Sequence, residues 1–137
     1  FFNYILYIEE RNLKKRGIEL SMNDVHILEN IKKASDNSMS HIAARLMVTQ
    51  GTLTTNVTKL INKGYVERYK DDRDKRINRL RITEKSVPIL KIHEDFHAEM
   101  VDKALDKLDL EENELLNETL ENILKYFREE YREQAGI

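Results

Sequence analysis

Residues 48–63, VTQGTLTTNVTKLINK, present two faces that ask for different surroundings. Leu53, Val57, Leu60 and Ile61 fall at i, i+4, i+7 and i+8, one apolar stripe of a helix. The other face carries Gln50, Gly51, Thr52, Thr55, Asn56, Lys59 and Lys63: short donors and acceptors, no carboxylate, and cations toward the end. Such a face suits a polyanion with readable edges. Thr49 is placed to cap this helix by accepting from a free amide near Thr52. That leaves Gln50, Gly51 and Thr52 at the N-terminal tip, where a helix entering the DNA major groove makes its base contacts.

The surroundings of this stretch are basic. Residues 41–85 carry eleven Lys or Arg against five Asp or Glu, a local charge of +6 within a chain of net charge −2, so the remainder is −8. A basic middle with acidic flanks points to a nucleic-acid face on a molecule that repels DNA elsewhere. The whole chain has 137 residues, enough for one domain, with 35% charged residues, four Gly and one Pro, a composition of long amphipathic helices. No apolar run approaches bilayer length, and cysteine is absent, which makes an intracellular, cytoplasmic location the default. The opening FFNYILYIEE reads as an internal start, with residues missing before Phe1.

Outward from the central stretch, Ser38 opens a short helix to Met47 with Ile42, Ala43 and Leu46 inward, and only a few residues separate it from the helix capped by Thr49. That is the connection of a helix-turn-helix. Ser21 reads as an N-cap for a helix to about Lys33, with Asp24 three residues on as a weaker version of the capping-box acid and Val25, Leu28 and Ile31 as its core stripe. After Gly64 the β-prone run Tyr65–Tyr69 and a second run, Ile77–Ile82, flank KDDRDKR, too polar for anything but a turn. Two strands around a charged tip, directly after a recognition helix, make a β-hairpin wing.

The ends read differently. Phe1 to about Lys15 is apolar on nearly every side through Ile8 before turning charged at Glu9, Glu10 and Arg11, so Phe1, Phe2, Ile5, Leu6, Ile8 and Leu13 are expected to bury against a second subunit. Thr83 or Ser86 starts a long helix to about Leu108, with Pro88 tolerated in its first turn. Asp109 and Glu112 cap a last helix whose stripe is Leu116, Leu120, Ile123, Leu124, Phe127 and Tyr131. The expected fold is mainly α with a small β-hairpin wing, a single winged helix-turn-helix domain. Residues 21–85 read DNA, and 1–20 and 86–137 supply dimerisation helices.

In LMVTQGTLTTNVTKLINKGYVER, then DDRDKR, then LRITEK, the chain resembles the MarR winged helix-turn-helix regulators over essentially its whole length. Within that family LMVT-x-GT-x-TT, IEE and NL near the N-terminus, and His26, His93, Phe96, His97, Met100 and Val101 resemble the FabT-type repressors of fatty-acid synthesis. The resemblance implies a homodimer on a palindromic operator in double-stranded DNA, with recognition helices in successive major grooves and wings in the flanking minor grooves. The family's wing Asp-x-Arg falls on Asp74, Lys75 and Arg76. Arg76 would enter the minor groove with Asp74 holding its guanidinium, while Arg73 and Lys75 contact phosphates. Ser86, where the family usually has Gly, and nearby Pro88 depart from the pattern and bear on where the long helix starts.

The DNA-binding candidates are therefore Ser38, Gln50, Gly51, Thr52, Thr55, Asn56, Lys59, Lys63, Arg73, Asp74, Lys75 and Arg76. Gln50, Thr52, Thr55 and Asn56 suit base edges or thymine methyls, and the two lysines suit phosphates. The FabT-type resemblance further implies an acyl chain, delivered on acyl carrier protein as corepressor, among Tyr4, Ile5, Ile8, Phe96 and Met100, with His26, His93 and His97 lining or bracing the tunnel. Arg11, Lys14, Lys15 and Arg16 would dock the acidic carrier. Three roles stay open for the histidines: structural, ligand-lining, or metal. His93 and His97, four apart on a helix, have a spacing that zinc uses, and zinc-sensing members of the family carry a His pair there. Without cysteine, only His26, His41 and scattered carboxylates remain to complete a site, so no metal is expected. A metal-responsive or other ligand-responsive regulator and a purely architectural DNA binder are the competing readings. No Gly-rich phosphate loop, cysteine nucleophile or nucleophile–base–acid constellation supports an enzyme.

Overall fold

A computed structural model describes residues 2–106 and 114–135. Its elements run α1 (Phe2–Lys15), α2 (Met22–Lys33), α3 (Met39–Arg45), α4 (Gln50–Asn62), β1 (Val66–Lys70), β2 (Asn78–Ile82), a 3-10 turn (Glu84–Ser86), α5 (Val87–Leu105) and α6 (Glu114–Ala135). The chain divides into two compact units, Phe1–His97 and Ala98–Ile137.

In the first unit the expected caps form. Ser21 and Asp24 make a reciprocal capping box at α2, and Ser38 and Thr49 cap α3 and α4 by accepting from the amides of His41 and Thr52. Each removes an orphan N–H from a helix start. Val25, Leu28, Ile42, Leu53, Val57, Leu60 and Leu80 are fully enclosed, so the stripes of α2, α3 and α4 meet β2 in one core. Leu13, Leu20, Ile89 and Leu90 belong to that core too. The expected boundaries at residues 20/21 and 85/86 therefore mark no break in burial.

Between α3 and α4, Met47 adopts φ 56° and lets Val48 N–H reach the carbonyl of Ala43, which closes the turn of the helix-turn-helix. β1 and β2 pair antiparallel from Val66 with Ile82 to Lys70 with Asn78. The hairpin tip is an Asx turn in which Asp71 Oδ1 accepts from the amides of Arg73 (2.8 Å) and Asp74 (2.9 Å). β1 is displaced by one residue from the sequence reading, and β2 starts one residue later than expected but ends, as expected, at Ile82. Ser86, the departure from the family pattern, is buried with its hydroxyl donating to the Tyr65 carbonyl at 2.6 Å. The 3-10 turn thus precedes the long helix, and Pro88 sits in the first turn of α5, where its missing N–H costs nothing.

The apolar face expected on α1 is only partly covered in the single chain. Phe2, Tyr4, Tyr7 and Ile8 are exposed, while Leu13 is buried. Glu9, read from the sequence as the point where this helix turns to solvent, is instead buried.

The second unit contains the end of α5 from Ala98 and α6. Leu120, Ile123, Leu124, Phe127 and Tyr131 are exposed along one side of α6. The end expected near Leu108 and the cap at Asp109 and Glu112 lie outside the described residues.

Candidate nucleic-acid interface

The tip of α4 is open to solvent. Gln50, Gly51, Thr52, Thr55, Lys59 and Lys63 are exposed and Asn56 is half-buried, while the stripe on the opposite side is enclosed. The threonines are partly committed. Thr55 donates its hydroxyl to the Gly51 carbonyl (3.2 Å), and the Thr52 hydroxyl lies 3.0 Å from that of Thr49. A hydroxyl that spends its proton on its own helix turns a methyl and a lone pair outward, which suits a thymine methyl better than a base acceptor. Gly51 has open space around its missing side chain: a Cβ would meet nothing nearer than Thr49 Oγ1 at 3.9 Å. The fold itself has no use for glycine there. Lys63 donates its ammonium to the Glu19 carbonyl at 2.8 Å, so its charge stays at the helix end while its reach is restrained.

In the wing, Arg76 is exposed and bound to Asp74 by two side-chain hydrogen bonds, with its own amide donating to Asp74 Oδ1 as well. The Arg76 pair and its amide hold the Asp74 carboxyl below the usual carboxylate range, and Asp74 raises the guanidinium further. Arg73 and Lys75 are exposed beside it. A second arginine secures the wing from behind. Arg79 bonds Asp71 through Nε and reaches Asp36 (2.9 Å) and Asn37 (3.2 Å) through Nη1. Asn37 in turn donates to Tyr69 Oη (2.9 Å) and the Leu80 carbonyl (2.7 Å). The amide of Asp74, the Arg79 guanidinium and the amide of Arg73 together lower the Asp71 carboxyl to about 2. The loop before α3 is thereby tied to the hairpin that carries Arg76. Sequence reasoning missed Asp36, Asn37, Asp71 and Arg79, whose partners lie up to 43 residues apart.

Ser38 stands apart from the other DNA-binding candidates. It is buried, its hydroxyl caps α3, and its backbone bridges to Arg79. Its side chain belongs to the frame that supports the interface.

A cleft of about 400 Å³ is lined by His26, Glu29, Lys33, Leu90, His93 and His97 among others, and Tyr4, Ile5, Ile8, Phe96 and Met100 are not part of its wall. Tyr4 and Ile8 are exposed, and Met100 falls in the second unit. The three histidines do converge. His93 and His97 rings stand edge to face at 4.4 Å, and His26 lies 5.5 Å from His93. His93 Nδ1 is 2.8 Å from Glu9 Oε1, and His97 Nε2 is 3.3 Å from the same oxygen. Burial, then the neighbouring His93, lower the His26 imidazole, which favours its neutral form. Burial would raise Glu29, but its hydrogen bond and ion pair with Lys33 leave it lowered.

Comparison with known proteins accounts for the arrangement of α2, α3, α4 and the wing. Residues 20–77 match the MarR family. The chain is 32% identical over 114 residues to the HTH-type transcriptional regulator BilQ of Clostridium symbiosum, covering 82% of this chain and 77% of that one. Streptococcus pneumoniae FabT, solved in complex with DNA, superposes with a TM-score of 0.84 at 36% identity over 93% of this chain and 90% of that one. S. aureus MepR, also solved with DNA, shares the fold at a TM-score of 0.73 and 19% identity, over 91% and 89% of the two chains. Such proteins are regulators rather than enzymes. No helix among the described residues is long and apolar enough to cross a membrane. With the helix-turn-helix, the wing and these relatives in agreement, the chain belongs to the MarR family of DNA-binding, winged helix-turn-helix transcriptional regulators.

Proposed function

We propose that the chain acts as a homodimeric repressor that reads a palindromic operator and controls genes of fatty-acid synthesis. The observation that carries the operator reading is the carboxylate-free tip of α4 beside a wing that holds Arg76 on Asp74. Gln50, Thr52, Thr55 and Asn56 then meet base edges, Lys59, Lys63, Arg73 and Lys75 meet phosphates, and Arg76 enters the minor groove. The exposed apolar residues of α1 and α6 give a second copy something to cover. The likeness to FabT supports the choice of genes. It also supports an acyl chain as corepressor, bound near Tyr4, Ile5, Ile8, Phe96 and Met100 and brought by acyl carrier protein to the exposed Arg11, Lys14, Lys15 and Arg16.

The test is footprinting and fluorescence anisotropy on the promoter regions of fatty-acid synthesis genes from the source organism, with and without long-chain acyl carrier protein. One short protected palindrome, bound by two chains and more tightly with the acylated carrier, is expected. Protection without sequence preference would overturn the operator reading, and an affinity that ignores the acyl carrier would remove the corepressor.

A further inference from the structure

Met47, between α3 and α4, holds a conformation that does not suit it. Its φ of 56° is left-handed, and the other described residues with positive φ, Gly17 at 73° and Gly64 at 80°, are glycines. Glycine enters that region freely, whereas a side chain there strains the backbone. The core gains little in return, because Met47 is 67% exposed. Four residues on, Gly51 is the opposite case: it sits inside a helix with open space where a Cβ would be, and alanine would serve the fold better. Methionine where the fold would take glycine, and glycine where it would take a side chain, stand on either side of the Thr49 cap. Breaches of local preference that the fold does not need concentrate at functional sites.

We propose that Met47 is a base-contacting residue: it packs on the 5-methyl group of a thymine in the major groove and, with the methyl groups of the α4 threonines, makes this tip a reader of thymine methyls. The inference rests on α4 as the helix that enters the groove, and names what it recognises there.

Position allows the contact. Met47 lies two residues before the cap, so its Cα is within about 7 Å of that of Thr49. Val48, between them, is also open, at 37%. Chemistry favours it. The threonines of this helix direct their hydroxyls inward: Thr54 donates to the Gln50 carbonyl (2.7 Å), Thr55 to that of Gly51 (3.2 Å) and Thr58 to that of Thr54 (2.7 Å), while Thr49 and Thr52 share a bond of 3.0 Å. Oxygens engaged on their own helix leave methyl groups for a neighbour. Met47 and Val48 add two side chains with no donor for a phosphate. In the major groove the apolar group that base pairs present is the thymine methyl, beside the adenine edge that the amides of Gln50 and Asn56 suit. A thioether on three rotatable bonds can follow such a methyl through small shifts of the groove.

The experiment uses the full chain and the operator defined by footprinting, with each thymine replaced in turn by 2′-deoxyuridine, which removes the methyl and keeps the pairing. Anisotropy should show affinity lowered roughly three- to fivefold at one or more thymines of each half-site, the worth of one buried methyl group. Met47→Gly should fold at least as stably as the parent, bind the thymine operator more weakly, and lose the deoxyuridine penalty at one thymine per half-site. Met47→Leu should keep that penalty. Deoxyuridine tolerated at every position would overturn the methyl reading while leaving the operator reading intact, and an undiminished penalty in folded Met47→Gly would remove Met47 from the contact. A footprint without sequence preference would overturn both readings.

Discussion

Arg76 grips Asp74 with two prongs, Nε to Oδ1 at 3.0 Å and Nη2 to Oδ2 at 2.8 Å, while its side chain remains 90% exposed. So exposed a pair adds little to folding stability. It fixes where a positive charge projects from the hairpin. Replacing Arg76 with alanine should leave the urea midpoint within error and weaken operator binding roughly ten- to hundredfold. Asp74→Ala should weaken binding less, since it frees the guanidinium without removing it. Anisotropy titrations at fixed salt read both effects.

Gly51 lies in open space near the start of α4 with an ordinary helical backbone. An alanine there fits, and it should stabilise the fold by about 0.5 kcal/mol by restricting the unfolded chain. If the bare backbone is kept for close approach to DNA, the same change should reduce operator affinity at least several-fold. A variant that is more stable and binds as well as the parent would remove Gly51 from the interface.

Asp71 gives the wing a pH dependence of defined sign. Its carboxyl is lowered from the ordinary 3.8 to about 2 by the amides and by Arg79. A lowered folded-state value means that the ionised form stabilises the hairpin, fully above about pH 4, with the contribution lost as pH falls toward 2. The stability difference between the parent and Asp71→Asn should accordingly be constant from pH 7 to about 5 and shrink below that. Urea unfolding at a series of pH values measures it. A difference independent of pH down to 2 would contradict the ion pair.

Ser86 donates to the Tyr65 carbonyl, which also accepts from the Thr83 amide at 3.0 Å. Removing the hydroxyl in Ser86→Ala leaves that carbonyl one partner and should cost about 1 kcal/mol. Calorimetry should show a Tm lower by a few degrees, with operator affinity per folded chain preserved.

Whatever repeats every three or four residues was legible in the sequence: the stripes of α2 and α4, the caps at Ser21, Ser38 and Thr49, and the charged hairpin tip. Local hydrogen bonds and burial follow one stretch of chain, so one stretch announces them. Glu9 was not legible. In its own helix it reads as the first solvated charge after an apolar run, and only the approach of α5 turns it inward to His93. Arg79 was hidden for a similar reason. It alternates with Leu80 as an outward residue should, yet it spends its guanidinium on Asp36 and Asp71. Periodicity gives a side chain's direction relative to its own element and says nothing of what meets it there.

The end of α4 is lashed down on several sides. Lys63 reaches the Glu19 carbonyl, Lys85 donates to the Lys63 carbonyl at 2.7 Å, and Thr83 donates to that of Gly64 at 2.7 Å. Recognition helix, wing root and the first turn of α5 are thus joined as a crank with no free bearing between them. Its arm is the 13-residue α4, about 20 Å long. A tilt of about 5° at the lashed end sweeps Gln50 through about 1.7 Å. That is enough to take a side chain out of hydrogen-bond range of a base. In a two-fold dimer the two tips would swing together, each by the rotation of the other, so a few degrees at the first turns of α5 would change the spacing of the pair.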